Sequence, residues 1–169
     1  MPDFLTKNLP SEIHIHTAPQ WERRAIRAFL YEKFQHEDLL NLAKPPQCPG
    51  VFISVSHAPG LGGVVWGCQP VGLDIEVKTR VQPAVIARIS TQSERLSFYK
   101  PEFLWPIKEA VWKTQGLGVI TDVMVTKVWD LKGGLGLLAK IHGKSVSGLC
   151  CQRKDYLFCV AWVSQNEKR

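Results

Sequence analysis

The stretch Val71-Gly72-Leu73-Asp74-Ile75-Glu76-Val77 sets the strictest limit on how this chain can fold. Its apolar residues alternate with Gly72, Asp74 and Glu76, the period of a β-strand with one face against a core. Side chains two residues apart on a strand point the same way. Asp74 and Glu76 therefore emerge together, beside a glycine that leaves room for another group to come close. Adjacent carboxylates repel one another and are costly to hold together without a cation between them. On this strand alone the pair fits either a solvated face or half of a metal site.

The other half of such a site lies in the run Phe103 to Lys113. Helical spacing puts Phe103, Ile107, Ala110 and Val111 on one face, and Trp105, Glu109, Trp112 and Lys113 on another. Glu109 and Lys113 are neighbours one turn apart. As an exposed pair they would stabilise the helix by only about 0.2–0.5 kcal/mol. A carboxylate flanked by two tryptophans on a helix apolar on nearly every side instead needs a metal, a cation or a proton.

Composition narrows the setting. The chain has 169 residues, 45% hydrophobic and 21% charged, which suits one globular domain over 1–169. No apolar run reaches membrane-spanning length, and Met-Pro-Asp-Phe lacks the regions of a secretory signal, so the expected location is the cytoplasm. The five cysteines, Cys48, Cys68, Cys150, Cys151 and Cys159, show no C-x-x-C spacing and read as reduced core residues. A net charge of +6 points to an anionic partner. The basic residues are scattered, so no dedicated nucleic-acid arm is expected.

Residues 1–12 read as a loose start, and Ile13-His14-Ile15-His16 as a short strand whose two histidines lack a third metal ligand nearby. Pro19 to Gln35 reads as an amphipathic helix, with Trp21, Ala25, Ala28 and Phe29 toward the core and Arg23, Arg24 and Arg27 elsewhere. Lys44-Pro45-Pro46 opens a rigid loop. Val51 to Ser56 is a predicted strand ending at His57, followed by a turn at Pro59-Gly60. A second strand over Leu61 to Trp66 then leads into the carboxylate strand as an antiparallel meander. After a helix over Pro83 to Ile89, Thr91 and Glu94 have capping-box spacing. The helix ending at Gln115 stops at Gly116-Leu117-Gly118. Strands over Val123 to Trp129, Leu135 to Ile141, Val146 to Cys151 and Leu157 to Val163 complete an α+β fold of antiparallel sheets packed with long helices.

Gly72-Leu73-Asp74-Ile75-Glu76 followed by Trp105-x-x-Lys108-Glu109-Ala110-x-x-Lys113 resembles the paired signature of the 4'-phosphopantetheinyl transferases. Lys44-Pro45 resembles the G-K-P motif of the larger, surfactin-synthetase-activating type, and Ser54-Val55-Ser56-His57 its strand ending in Ser-His. The resemblance runs in order from about residue 20 to residue 163. There are three departures. Leu42-Ala43 stands before Lys44 where the family has glycine, Pro106 replaces a small hydroxyl or thiol residue, and fewer residues precede Ser56-His57.

The resemblance implies a fold of two pseudo-symmetric halves. Residues of about 1–60 would form a trimmed first half that contacts coenzyme A, and 61–169 a second half carrying the metal. It implies a monomeric enzyme of fatty acid, polyketide or nonribosomal peptide biosynthesis. Such an enzyme moves 4'-phosphopantetheine from coenzyme A to a serine of an acyl or peptidyl carrier protein and releases adenosine 3',5'-bisphosphate. Asp74, Glu76 and Glu109 would hold Mg²⁺, the cation suited to oxygen ligands and phosphate. Glu109 would take the serine proton, with Lys113, Asp74 and His57 also catalytic. Lys44, Pro45, Ser56, His57, Arg24, Arg27, Lys108 and Lys113 would contact coenzyme A. Two other readings remain open: a Mg²⁺-dependent nuclease using Asp74, Glu76 and Lys78, and a coenzyme A-binding protein without transfer activity.

Overall fold

A computed structural model of the protein describes residues 3–164. The chain runs α1 (Asp3–Asn8), β1 (Ile13–Pro19), α2 (Arg23–Phe34), β2 (Phe52–Ala58), β3 (Leu61–Gly67) and β4 (Val71–Val77). It continues through α3 (Pro83–Ile89), α4 (Gln92–Ser97), α5 (Leu104–Lys113), β5 (Met124–Leu131), β6 (Gly134–Ile141), β7 (Lys144–Arg153) and β8 (Tyr156–Val163). The architecture is α+β, with two antiparallel sheets ordered β1-β3-β2 and β4-β8-β7-β6-β5. No helix among the described residues is long and apolar enough to cross a membrane.

The layers follow from the alternation of each strand. On the outer face of the three-stranded sheet, Ile26 and Leu30 of α2 bury themselves with Val64 and Leu39. On its inner face Ile13, Ile15 and Val65 share one apolar cluster with Val71, Leu73 and Ile75 of β4, Leu149 of β7, and Phe158 and Val160 of β8. The opposite face of the five-stranded sheet is covered by α5, whose Leu104, Ile107, Ala110 and Val111 pack on Leu135, Leu137, Cys159 and Ala161. Burying one such aliphatic side chain contributes about 1.5–3 kcal/mol, so each layer is fixed by several of these contacts.

Five expectations change. Residues 3–8 form α1 because Leu5, fully buried, joins the shared apolar cluster. The second helix begins at Arg23 because β1 stays paired to β3 through Pro19, and Gln20 turns the chain at φ 55°. Its buried residues are Ile26, Arg27 and Leu30, whereas Ala28 is exposed. The predicted meander breaks after β3, since β4 pairs with β8 in the other sheet. The helices are also short, the longest being the 12-residue α2. Packing against a sheet stabilises such short helices, which would be marginal alone.

The capping box forms as read: the Glu94 backbone amide donates to Thr91 Oγ1 at 3.1 Å and the Thr91 amide to Glu94 Oε2 at 2.8 Å. The cysteines are all free, but only Cys150, Cys151 and Cys159 are core residues; Cys48 is half-buried and Cys68 exposed. His14 stacks on Trp66 and His16 on Phe29, so both histidines belong to an aromatic cluster beside α2.

Candidate metal centre

β4 is an edge strand, and its unpaired edge would expose backbone groups if nothing covered it. Side chains from two other elements satisfy them. The Leu73 and Ile75 amides donate to Ser54 Oγ and Ser56 Oγ of β2, each at 3.0 Å, and the Leu73 carbonyl accepts from Lys113 Nζ of α5 at 3.0 Å. The serine side chains thus join the two sheets where β2 runs beside β4.

Gly72 decides how close the helix comes. A Cβ there would lie 1.8 Å from the Ala110 carbonyl oxygen and 3.2 Å from the Lys113 Cβ, so only glycine lets α5 press onto β4. Residues 105, 109 and 113 lie one turn apart on that side of α5, which sets Trp105, Glu109 and Lys113 over the carboxylates of β4. One carboxylate oxygen each from Asp74, Glu76 and Glu109 lies within 4.8 Å of the others, and no other group of three or more potential ligands occurs among the described residues.

The donors around these acids are specific. Lys113 Nζ contacts Asp74 Oδ1 at 2.9 Å and Glu109 Oε1 at 3.1 Å. Ser56 Oγ donates to Asp74 Oδ1 at 3.2 Å, and the Trp105 indole nitrogen donates to Glu76 Oε1 at 3.0 Å. Asp74 is 2% exposed, and its other oxygen, Oδ2, is buried without a hydrogen-bond partner. A buried carboxylate oxygen left unpaired is costly. The chemistry of the set, three carboxylates facing one another, fits a hard divalent cation bound by oxygen.

Burial pushes the Asp74 carboxyl up to about 7; the Lys113 charge pulls it down, while Glu109 and Glu76 push it further up. Burial alone would lower the Lys113 ammonium, but Asp74 and Glu109 outweigh it and hold its pKa above the usual lysine value.

The cluster forms one wall of a cleft of about 270 Å³. Arg23, Ile26 and Arg27 of α2 and Val55, Ser56 and His57 of β2 form the rest. Arg23 and His57 also line a wider adjoining cleft of about 730 Å³ that reaches Trp21, Gly60 and Arg80. Arg27 is 1% exposed; it donates to the Leu39 carbonyl at 3.3 Å and to the Lys44 carbonyl, while its Nε has no partner. Burial and the neighbouring Arg23 charge lower its pKa.

The structure therefore brings Asp74, Glu76, Glu109, Lys113, Ser56, His57 and Arg27 to one cleft. Four predicted residues lie elsewhere. The Lys108 ammonium is buried on another side of α5, between Glu94 at 2.9 Å and the Val123 carbonyl at 2.7 Å, and so cannot contact a ligand in the cleft. Arg24 is exposed and lines neither cleft, whereas Arg23 and Arg27 both line the one that holds the acids. Lys44 and Pro45 are exposed and do not line the cleft; Lys44 meets it only indirectly, through its carbonyl on Arg27.

Sequence reasoning missed Ser54 and the Trp105–Glu76 hydrogen bond. The Ser54-x-Ser56 alternation signals that both hydroxyls share a face, and Trp105 shares a face with Glu109, but nothing local links either to β4. No protein-family model matches the chain, and comparison with curated proteins finds no relative.

Proposed function

We propose that the protein is a Mg²⁺-dependent 4'-phosphopantetheinyl transferase, acting as a cytoplasmic monomer on an acyl or peptidyl carrier protein. The observation that carries this reading is the cleft in which three carboxylates face Arg23, Arg27, His57 and Lys113. Acids alone would suit any divalent cation. Acids opposed by guanidinium and ammonium groups suit a cation bridged to phosphate oxygens. The reading takes the sheet β1-β3-β2 with α2 as a reduced first half; because β3 (Leu61–Gly67) belongs to that sheet, the boundary moves from about residue 60 to the segment between Gly67 and Val71, and the remainder is the half with the metal ligands.

Asp74, Glu76 and Glu109 would hold the Mg²⁺, which when bound supplies charge neutralisation at the coenzyme A diphosphate. Arg23 and Arg27 grip phosphate oxygens, and Arg27 Nε is the donor still without an acceptor. His57, exposed between the two clefts, donates to the same diphosphate. Glu109, 25% exposed, accepts the proton of the carrier serine as its Oγ attacks the β-phosphorus. The bond from that phosphorus to the bridging oxygen breaks, adenosine 3',5'-bisphosphate leaves, and Lys113 offsets the charge that develops.

The test is intact-mass analysis of apo carrier proteins incubated with the protein, coenzyme A and Mg²⁺. The expected result is a gain of one phosphopantetheine on the carrier serine with the wild type and none with Asp74→Ala or Glu109→Ala. Near-wild-type modification by either variant, both still folded, would overturn the assignment.

A further inference from the structure

Each of the three acids has one oxygen already engaged. Asp74 Oδ1 accepts from Lys113 and Ser56, Glu109 Oε1 pairs with Lys113, and Glu76 Oε1 accepts from Trp105. The second oxygen of Asp74 is unpartnered and buried, and those of Glu76 and Glu109 accept no hydrogen bond among the described residues. One oxygen is thus spent on orientation and the other left for a cation. This is the arrangement in which groups behind a metal's ligands aim them.

Glu76 stands apart within this set. Asp74 is fixed by burial and two donors, and Glu109 by its own helix and Lys113. Glu76 sits near the end of β4, half-buried, and its carboxylate has a single donor, the Trp105 indole. A glutamate side chain has three rotatable bonds, and holding it in one orientation costs rotamer entropy. The indole N–H is suited to meeting that cost without interfering, because it donates only, carries no charge and cannot compete for the cation's place. Lys113, by contrast, brings a positive charge into the cluster.

The position of Trp105 is itself built in. It lies in the first turn of α5, one turn before Glu109, and is followed by Pro106, whose ring fixes the backbone there. We propose that Trp105 is a positioning residue for the divalent cation: its indole N–H holds Glu76 Oε1 so that Oε2 completes the ligand set with Asp74 and Glu109. The inference rests on the divalent-cation reading of the same site.

Mn²⁺ affinity, measured by titration calorimetry on the full-length protein without substrate, tests it. Trp105→Phe keeps the aromatic ring and removes the donor. The expected result is an affinity lower by about tenfold. Glu76→Gln should lose affinity too, and the double variant should bind no more weakly than Glu76→Gln alone, since the indole acts through that carboxylate. Unchanged affinity in Trp105→Phe, or additive losses in the double variant, overturns the proposal and leaves the metal site standing. A wild type that binds no Mn²⁺ overturns both.

A measurement on the wild type keeps the question open to refutation even if a variant misfolds. Titrating Mg²⁺ should move the Trp105 indole proton resonance, and a resonance that stays fixed while Mg²⁺ binds rules the proposal out.

Discussion

Asp74 concentrates the chemistry of the molecule at a single residue. In water its carboxyl would titrate near 3.8, but in the fold it is pushed up to about 7, chiefly by burial. A proton is therefore held more tightly by the folded than by the unfolded chain. The stability this contributes is complete below about pH 4 and is lost as pH rises through about 7. Without divalent cations, the unfolding free energy of the wild type relative to Asp74→Asn should fall across that window. Urea titrations at stepped pH check this, and a flat difference would show that Asp74 is ionised throughout. Glu94 runs the other way: burial would raise it, but the Thr91 amide, Lys108 and the Val125 amide hold it below the usual value. That term is common to both proteins and cancels in the difference.

At the scale of elements, one contact brings the site together: the approach of α5 to β4 across Gly72. Any side chain there meets the Ala110 carbonyl, backbone that cannot rotate away. Gly72→Ala should push the helix outward, separate Glu109 from Asp74 and Glu76, and reduce Mn²⁺ affinity by about tenfold or more even where the variant remains folded. Calorimetry on the soluble fraction decides it; wild-type affinity would mean that the helix position does not control the cluster. The alternation of β4 and the i, i+4 spacing of Glu109 and Lys113 were both legible in the sequence because they are local geometry. The partner of β4 was not. Hydrogen bonding after β3 leads by proximity to a hairpin, and only the burial of Val71 and Leu73 between two sheets favours β8 instead.

Across the whole molecule, the two sheets are joined by a shared apolar cluster and by Ser54 and Ser56 on the β4 edge. A fragment covering 70–164 would lose the cover over Val71, Leu73 and Ile75 together with the acceptors for two β4 amides. It is expected to aggregate or to unfold without cooperativity, as followed by circular dichroism on heating. A cooperative transition matching that of the full chain would show instead that the second sheet folds alone.

The sequence by itself determined the elements that depend on near neighbours: the alternating strands of the second sheet, the capping box of Thr91 and Glu94, and the pairing of two acids on one strand with one acid and one lysine on a helix. Backbone geometry carries this information over a few residues. Only the tertiary structure decided which charges go where. Lys108 and Lys113 stand on the same helix in similar apolar company, yet one is neutralised by Glu94 on another side of that helix and the other reaches Asp74 in the cleft. Arg23 and Arg27 face the cleft while Arg24 faces solvent. A buried charge goes where a partner is available, and that partner comes from a distant part of the chain that local periodicity cannot identify.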